Sequence, residues 1–136
     1  MNFVNLTLDT NVLVRLCTQD DAAQAAAAEY AVKSASLIAL PTPVLCELVW
    51  VLLRGYRYSG PQVVAALRLL VNTRQVVCDM PAVLAGLAML EQGGDFADAV
   101  IAFEGSAMGG TEFVSFDQQA VKLLRQYKRK ARLLAT

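Results

Sequence analysis

Five carboxylates stand where chemistry could be done: Asp9 in "LDTN", Glu47 in "CELVW", Asp95 and Asp98 in "GGDFADAVIA", and Asp117 in "SFDQQ". Histidine is absent from the 136 residues. That removes the commonest general base and the Ser-His-Asp and Cys-His nucleophile systems. An enzyme built on this chain has to work through carboxylates, a metal ion, or both. Each aspartate also has a local reading. Asp9 suits an Asx-turn or a cap of the next helix, and Asp117 suits an N-cap. Asp95 is a natural N-cap after Gly94, and Asp98 falls in the first turn, where the helix dipole favours an acid. Glu47 has no such reading. It is the one residue between Val44 and Leu53 that is not apolar, and it lies past the first turn of its helix. A helix hydrophobic all round is expected to be buried, and a buried carboxylate is costly unless paired, protonated or bound to a cation. Arg54 and Arg57 stand roughly 10 Å or more along the axis at ~1.5 Å per residue, too far to neutralise it locally.

Asp9, Glu47, Asp98 and Asp117 come from four separate elements. Clustered ionised carboxylates repel one another and become tolerable around a hard dication such as Mg²⁺ or Mn²⁺. Such ions keep several waters, one of which can act as a nucleophile, so metal-activated hydrolysis of a phosphodiester is the chemistry that suits a chain without histidine.

The elements that must position these acids alternate. Phe3 to Leu8 reads as a strand ending at "DTN", and Val12 to Leu16 begins a short helix. Asp20 or Asp21 caps a helix running to about Lys33. Leu37 to Leu40 is a short strand, and "PTPVLCELVWVLLRGY" is a helix with Thr42 as cap and Pro43 at its first position. Pro61 opens a helix to about Asn72, "QVVCD" is a strand, and Pro81 opens a helix to Glu91. Gly93 and Gly94 break the chain before the helix from Asp95 to Ala107. "EFVSF" is a strand, Gln118 to about Lys128 a helix, and "ARLLA" a last short strand. Short strands apolar on both faces, alternating with helices, predict an α/β fold with a parallel sheet covered by helices. In such folds ligands gather beyond the carboxyl ends of the strands, where Asp9 and Asp117 fall.

Composition bounds the rest. The length predicts one domain over residues 1–136. Hydrophobic residues make up 56% and charged residues 18% of the chain, which supplies a core and excludes a disordered composition. The apolar stretch from Ser36 to Leu53 is interrupted by Pro41, Pro43 and Glu47 and makes a poor membrane span. The start "MNFVNLTLDT" shows neither a basic n-region nor a long apolar core, so no signal peptide is expected. Cys17, Cys46 and Cys78 sit in apolar runs without metal-ligand spacing, as reduced core thiols of a cytoplasmic protein would. Net charge is zero, yet after Asp117 there is no acid, and six of the twelve basic residues follow: Lys122, Arg125, Lys128, Arg129, Lys130 and Arg132. This tail reads either as a phosphate-attracting segment or as the solvated face of a final helix.

The chain resembles the PIN-domain family and, within it, the VapC-type toxin ribonucleases of bacterial type II toxin–antitoxin pairs. The matching pieces are "LDTNVLVR" at 8–15, "ELVWVL" at 47–52, "DFADAVIA" at 95–102 and "VSFD" at 114–117. They occur in the family's order and span nearly the whole chain. The resemblance implies a three-layer α/β/α sandwich around a parallel sheet and Mg²⁺- or Mn²⁺-dependent endonucleolytic cleavage of RNA. It matches Asp9 to the family's first-strand acid, Glu47 to its helical glutamate, Asp98 to the acid of its "DAxIA" helix and Asp117 to the acid after the later strand. Asp95 matches a position acidic in only part of the family. Thr10 and Asn11 match small polar residues beside the first acid and imply hydrogen-bonding support. A cognate antitoxin and a homodimer are implied on the same ground. On this reading Asp9, Glu47 and Asp98 hold one metal and Asp117, with or without Asp95, completes the site. Arg15 and the basic tail would then bind flanking phosphates.

Rival readings lack residues. A receiver-type signalling domain pairs two adjacent acids after its first strand, whereas Asp9 stands alone. A haloacid-dehalogenase-like phosphatase wants a second aspartate two residues after the first, and position 11 is Asn11. A catalytically silent PIN fold that holds RNA or protein is the remaining alternative, and the presence of all four matching acids argues against it.

Overall fold

The computed structural model describes residues 4–136, so the start of the first expected strand, at Phe3, lies outside the described residues. Two compact units divide the chain, Met1–Asp79 and Met80–Thr136.

In the first unit, β1 (Asn5–Thr7), β2 (Leu37–Ala39) and β3 (Val76–Val77) form a sheet in that order. Both pairings are parallel, with Leu6 opposite Ile38 and Ile38 opposite Val76. Parallel neighbours need a crossover, and the helices supply it: α1 (Thr10–Thr18) and α2 (Ala22–Lys33) between the first two strands, then α3 (Thr42–Trp50) and α4 (Gly60–Val71). Local signals start these helices. Asp21 caps α2 by accepting from the Gln24 N–H at 3.0 Å. Ser59 and Gln62 form a reciprocal capping box ahead of Pro61 in α4.

Two expectations for α3 fail. Its N-cap is Pro41, without a side-chain cap bond, rather than Thr42, because Thr42 is already helical and Pro43 lies in the first turn. The helix also does not run on as α-helix. Val51–Gly55 forms a wider π turn, with the Tyr56 N–H reaching back to the Val51 carbonyl at 3.2 Å. Leu45, Leu48, Val49 and Leu52 are buried at helical spacing. The opposite face, although largely apolar, is solvent-facing.

In the second unit, α5 (Met80–Glu91) packs on α6 (Phe96–Ala107), and β4 (Phe113–Ser115) pairs in parallel with β5 (Ala131–Leu133) around α7 (Gln118–Gln126). Met89, Ala99, Val121, Leu123, Leu124 and Ala131 make its core. The fully buried Phe96 ring lies against Gly86, where an added Cβ would come within 2.5 Å of it. The helix α7 stops two residues short of the expected Lys128, which turns left-handed at φ 61°.

The strands are not buried on both faces as their composition suggests. Ile38, on the central strand β2, is buried, whereas Val77 on the edge strand β3 is half-exposed. An edge strand lacks the neighbour that would cover it.

Candidate functional site

The second unit brings three of the five acids together. The turn before α6 needs glycine twice: Gly93 sits at φ 82°, and a Cβ on Gly94 would come within 2.5 Å of the Met89 sulfur and 2.6 Å of Leu123. That turn delivers Asp95 as N-cap of α6, its Oδ1 accepting from the Ala97 N–H at 2.8 Å. Asp98 follows in the first turn, half-buried. Asp117 caps α7 by accepting from the Ala120 N–H at 3.1 Å, while its own N–H donates to Ser115 Oγ at 2.9 Å. The Gln119 amide donates to the Gly93 carbonyl at 3.3 Å, tying the start of α7 to the glycine turn.

The capping readings of Asp95 and Asp117 are therefore both realised, each through one oxygen. The second oxygen of each has no hydrogen-bond partner among the described residues. Asp98 caps nothing. Its carboxyl is pushed up to about 6, first by burial and then by the negative charges of Asp95 and Asp117. The dipole of α6 opposes this rise by favouring the anion, so desolvation and carboxylate crowding outweigh it. Among the described residues no three acidic or thiol side chains stand close enough together to hold an ion as they are placed. The donor set of the trio is nonetheless all carboxylate oxygen, the chemistry of a hard dication, and the cost of ionising Asp98, set first by burial and then by its two acidic neighbours, is one that such an ion would relieve.

In the first unit, Asp9 caps α1, accepting from the Thr10 N–H at 2.8 Å. Thr10 is buried, and its bond to Asp9 comes from the backbone N–H, not from the side chain. Asn11 is exposed and makes no side-chain hydrogen bond among the described residues. Glu47 is exposed, which overturns the expectation of burial. The run around it is apolar, but Pro43, Glu47, Trp50 and Arg54 form one outward face at helical spacing, with Trp50 62% exposed. The burial argument for a cation at Glu47 therefore falls, and a helix of uniformly apolar composition is seen to have a wet side.

Arg15 is engaged elsewhere than with a free surface. Its Nε donates to Gln24 at 2.6 Å, and its Nη1 to Asp20 at 3.1 Å and to the Tyr56 hydroxyl at 3.2 Å. Tyr56 donates to the other Asp20 oxygen at 2.5 Å, and Thr18 donates to Asp20 at 2.8 Å. The Tyr56 hydroxyl, ahead of Thr18 and Arg15, holds Asp20 below the ordinary carboxylate range. This knot ties α1, α2 and the end of the π turn together. Sequence reasoning missed Tyr56, which stands 36 residues from its partner Asp20 and carries no local signal.

The basic tail is partly spoken for as well. Arg125 donates to the Ala131 carbonyl at 2.9 Å, Arg132 pairs with Glu112 at 3.1 Å, and Arg129 lies over the Phe103 ring at 5.4 Å. The three cysteines are half-buried thiols outside any disulfide, and burial raises the Cys17 and Cys78 thiols, which makes those two poor nucleophiles.

The family model described as the PIN domain matches residues 6–123, running through both units. The chain belongs to the PIN-domain family. With that family go its α/β three-layer fold class, which these parallel strands and intervening helices match, and the character of a nuclease fold acting on nucleic acid. No curated protein matches the chain. No helix among the described residues is long and apolar enough to cross a membrane.

Proposed function

We propose that this PIN-family chain is a Mg²⁺- or Mn²⁺-dependent endoribonuclease, the toxin of a toxin–antitoxin pair, built as one nuclease domain over residues 1–136. The observation that carries the metal is the trio Asp95, Asp98 and Asp117. A fold that crowds a half-buried carboxylate with two others holds it at a cost until a cation arrives. Asp98 and Asp117 would hold the metal, with Asp95 contributing its uncapped oxygen. Asp9 and Glu47 would complete the set; their support is the match of "LDTN" and "ELVWVL" to the family's motifs.

A bound divalent cation supplies water activation and neutralises charge developing on the scissile phosphate. The chain's own part is positional. The caps at Asp95 and Asp117 fix both carboxylates on their helix N-termini, and the Thr10 N–H holds Asp9. The α6 dipole keeps Asp98 ionisable, as a ligand must be. Exposed apolar side chains such as Trp50 and Phe116 support protein partners, an antitoxin or a second copy. Thiols outside any disulfide support a reducing, cytoplasmic setting.

The test is an RNA digest with and without EDTA, using wild type and Asp98→Asn, with a fold control by circular dichroism. Cleavage that needs the metal and is lost in the variant supports the reading. Cleavage that survives EDTA, or full activity in the variant, overturns it.

A further inference from the structure

At the end of the second unit away from the acidic trio lies an open cleft of about 200 Å³. Its walls come from the carboxyl end of α6, at Ala102 and Ser106, from the loop Gly110–Phe113, and from three consecutive cations, Lys128, Arg129 and Lys130. The one acid on its wall, Glu112, is already paired with Arg132 at 3.1 Å. Neither Lys128 nor Lys130 is in an ion pair among the described residues. The cleft therefore carries an uncompensated positive charge inside a chain of zero net charge.

The backbone is bent to make it so. Lys128 takes a left-handed conformation, φ 61°, in the position after a helix where glycine is the usual occupant. The Arg129 N–H closes on the Leu124 carbonyl at 3.0 Å and the Lys128 N–H on the Arg125 carbonyl at 2.9 Å, so the turn is a fully bonded helix stop. A lysine there bears a backbone cost that glycine would not. Its side chain, unlike its backbone, is thus the feature with a use.

We propose that this cleft binds a phosphate group, specifically a backbone phosphodiester of single-stranded RNA. The room equals several waters at ~30 Å³ each, which suits one phosphoryl group rather than a nucleoside. Ammonium groups from Lys128 and Lys130 and the hydroxyls of Ser106 and Thr111 supply donors. Along α6, Ser106 stands eight residues beyond Asp98, roughly 12 Å at ~1.5 Å per residue, a span of a few nucleotides of strand. The cleft would hold the strand at a point where the acids, which repel it, do not. As far as the ligand is substrate, this inference rests on the ribonuclease reading.

The test uses Lys128→Gly with Lys130→Gln, since glycine keeps the left-handed turn without lysine's backbone cost and removes the charge. Binding of a mixed-sequence single-stranded RNA oligonucleotide is followed by fluorescence anisotropy in EDTA over a series of KCl concentrations. The slope of log K against log salt should be shallower in the variant by about 0.7, the contribution of one phosphate on a single strand, with a Tm no lower than that of wild type. Equal slopes overturn the inference. In a second arm inorganic phosphate is titrated and followed by NMR. Shifts in wild type that the variant lacks, beside equal RNA slopes, would assign the cleft to free phosphate and overturn the RNA assignment. Wild type that keeps the steeper slope but cuts no RNA when Mg²⁺ is added would fail the ribonuclease reading and leave the cleft's assignment standing.

Discussion

Two polar clusters of this protein use the same residue types to opposite ends. In the first unit, Asp20 is met by Arg15, Tyr56 and Thr18, and its carboxyl is drawn below its ordinary range. In the second, Asp98 is met by burial, Asp95 and Asp117, and its carboxyl rises to about 6. The knot is a solved electrostatic problem that fastens helices. The trio is an unsolved one, which a fold tolerates where something else is meant to solve it. Charge that holds structure is paired within the chain; charge held unpaired points outward, to a ligand.

Breaking the trio should have the largest effect. Asp98→Asn is expected to reduce RNA cleavage by a factor on the order of 10³ or more, measured under single-turnover conditions. Next comes the metal itself. Mg²⁺ or Mn²⁺ at about a hundred times its dissociation constant should stabilise wild type by about 2.7 kcal/mol, and EDTA should reverse this; thermal unfolding of Asp98→Asn should respond far less. A wild type indifferent to metal would erase the contrast between the clusters.

The pH dependence of the metal-free protein sharpens the contrast. Asp98 has a folded value of about 6 against an ordinary 3.8. Its share of stability is therefore fully present below about 3.8 and is lost as pH rises through about 6. Allowing for solvent screening, the loss is about 1 kcal/mol, and Asp98→Asn should remove it and be the more stable protein near neutrality. Asp20 runs the other way. Its share is present above 3.8 and disappears only as pH falls through its lowered folded value. Urea unfolding across pH measures both. A smaller effect is expected from Asp95→Asn, which retains a capping side chain and should weaken cleavage less than Asp98→Asn. The smallest is Tyr56→Phe, which should lower Tm by about 3 °C and leave cleavage intact.

Much of this was readable from local rules. Asp21, Asp95 and Asp117 begin helices because side-chain oxygens satisfy free N–H groups within three residues. Gly93 and Gly94 announced the turn that aims Asp98. What escaped needs partners distant in sequence or a choice between similar faces. Apolar residues all around α3 hide which side faces water, so composition alone predicts a buried Glu47 where the structure exposes it. Tyr56 joins Asp20 only after the π turn swings it there. The Lys128–Lys130 cleft exists because the loop after α6 closes one side of it, which a run of basic letters does not disclose.

The strand order of the first sheet is also its order of synthesis. β1, β2 and β3 are added edge by edge, so every strand partner in that sheet exists once Val77 has been made. Asp95, Asp98 and Asp117 leave the ribosome afterwards. Translation runs at ~5–20 residues per second, so Asp95 is added roughly 1–4 seconds after Val77. On the nuclease reading, the strands of the first sheet are made before the acids of the trio, so scaffold precedes chemistry in the order of synthesis.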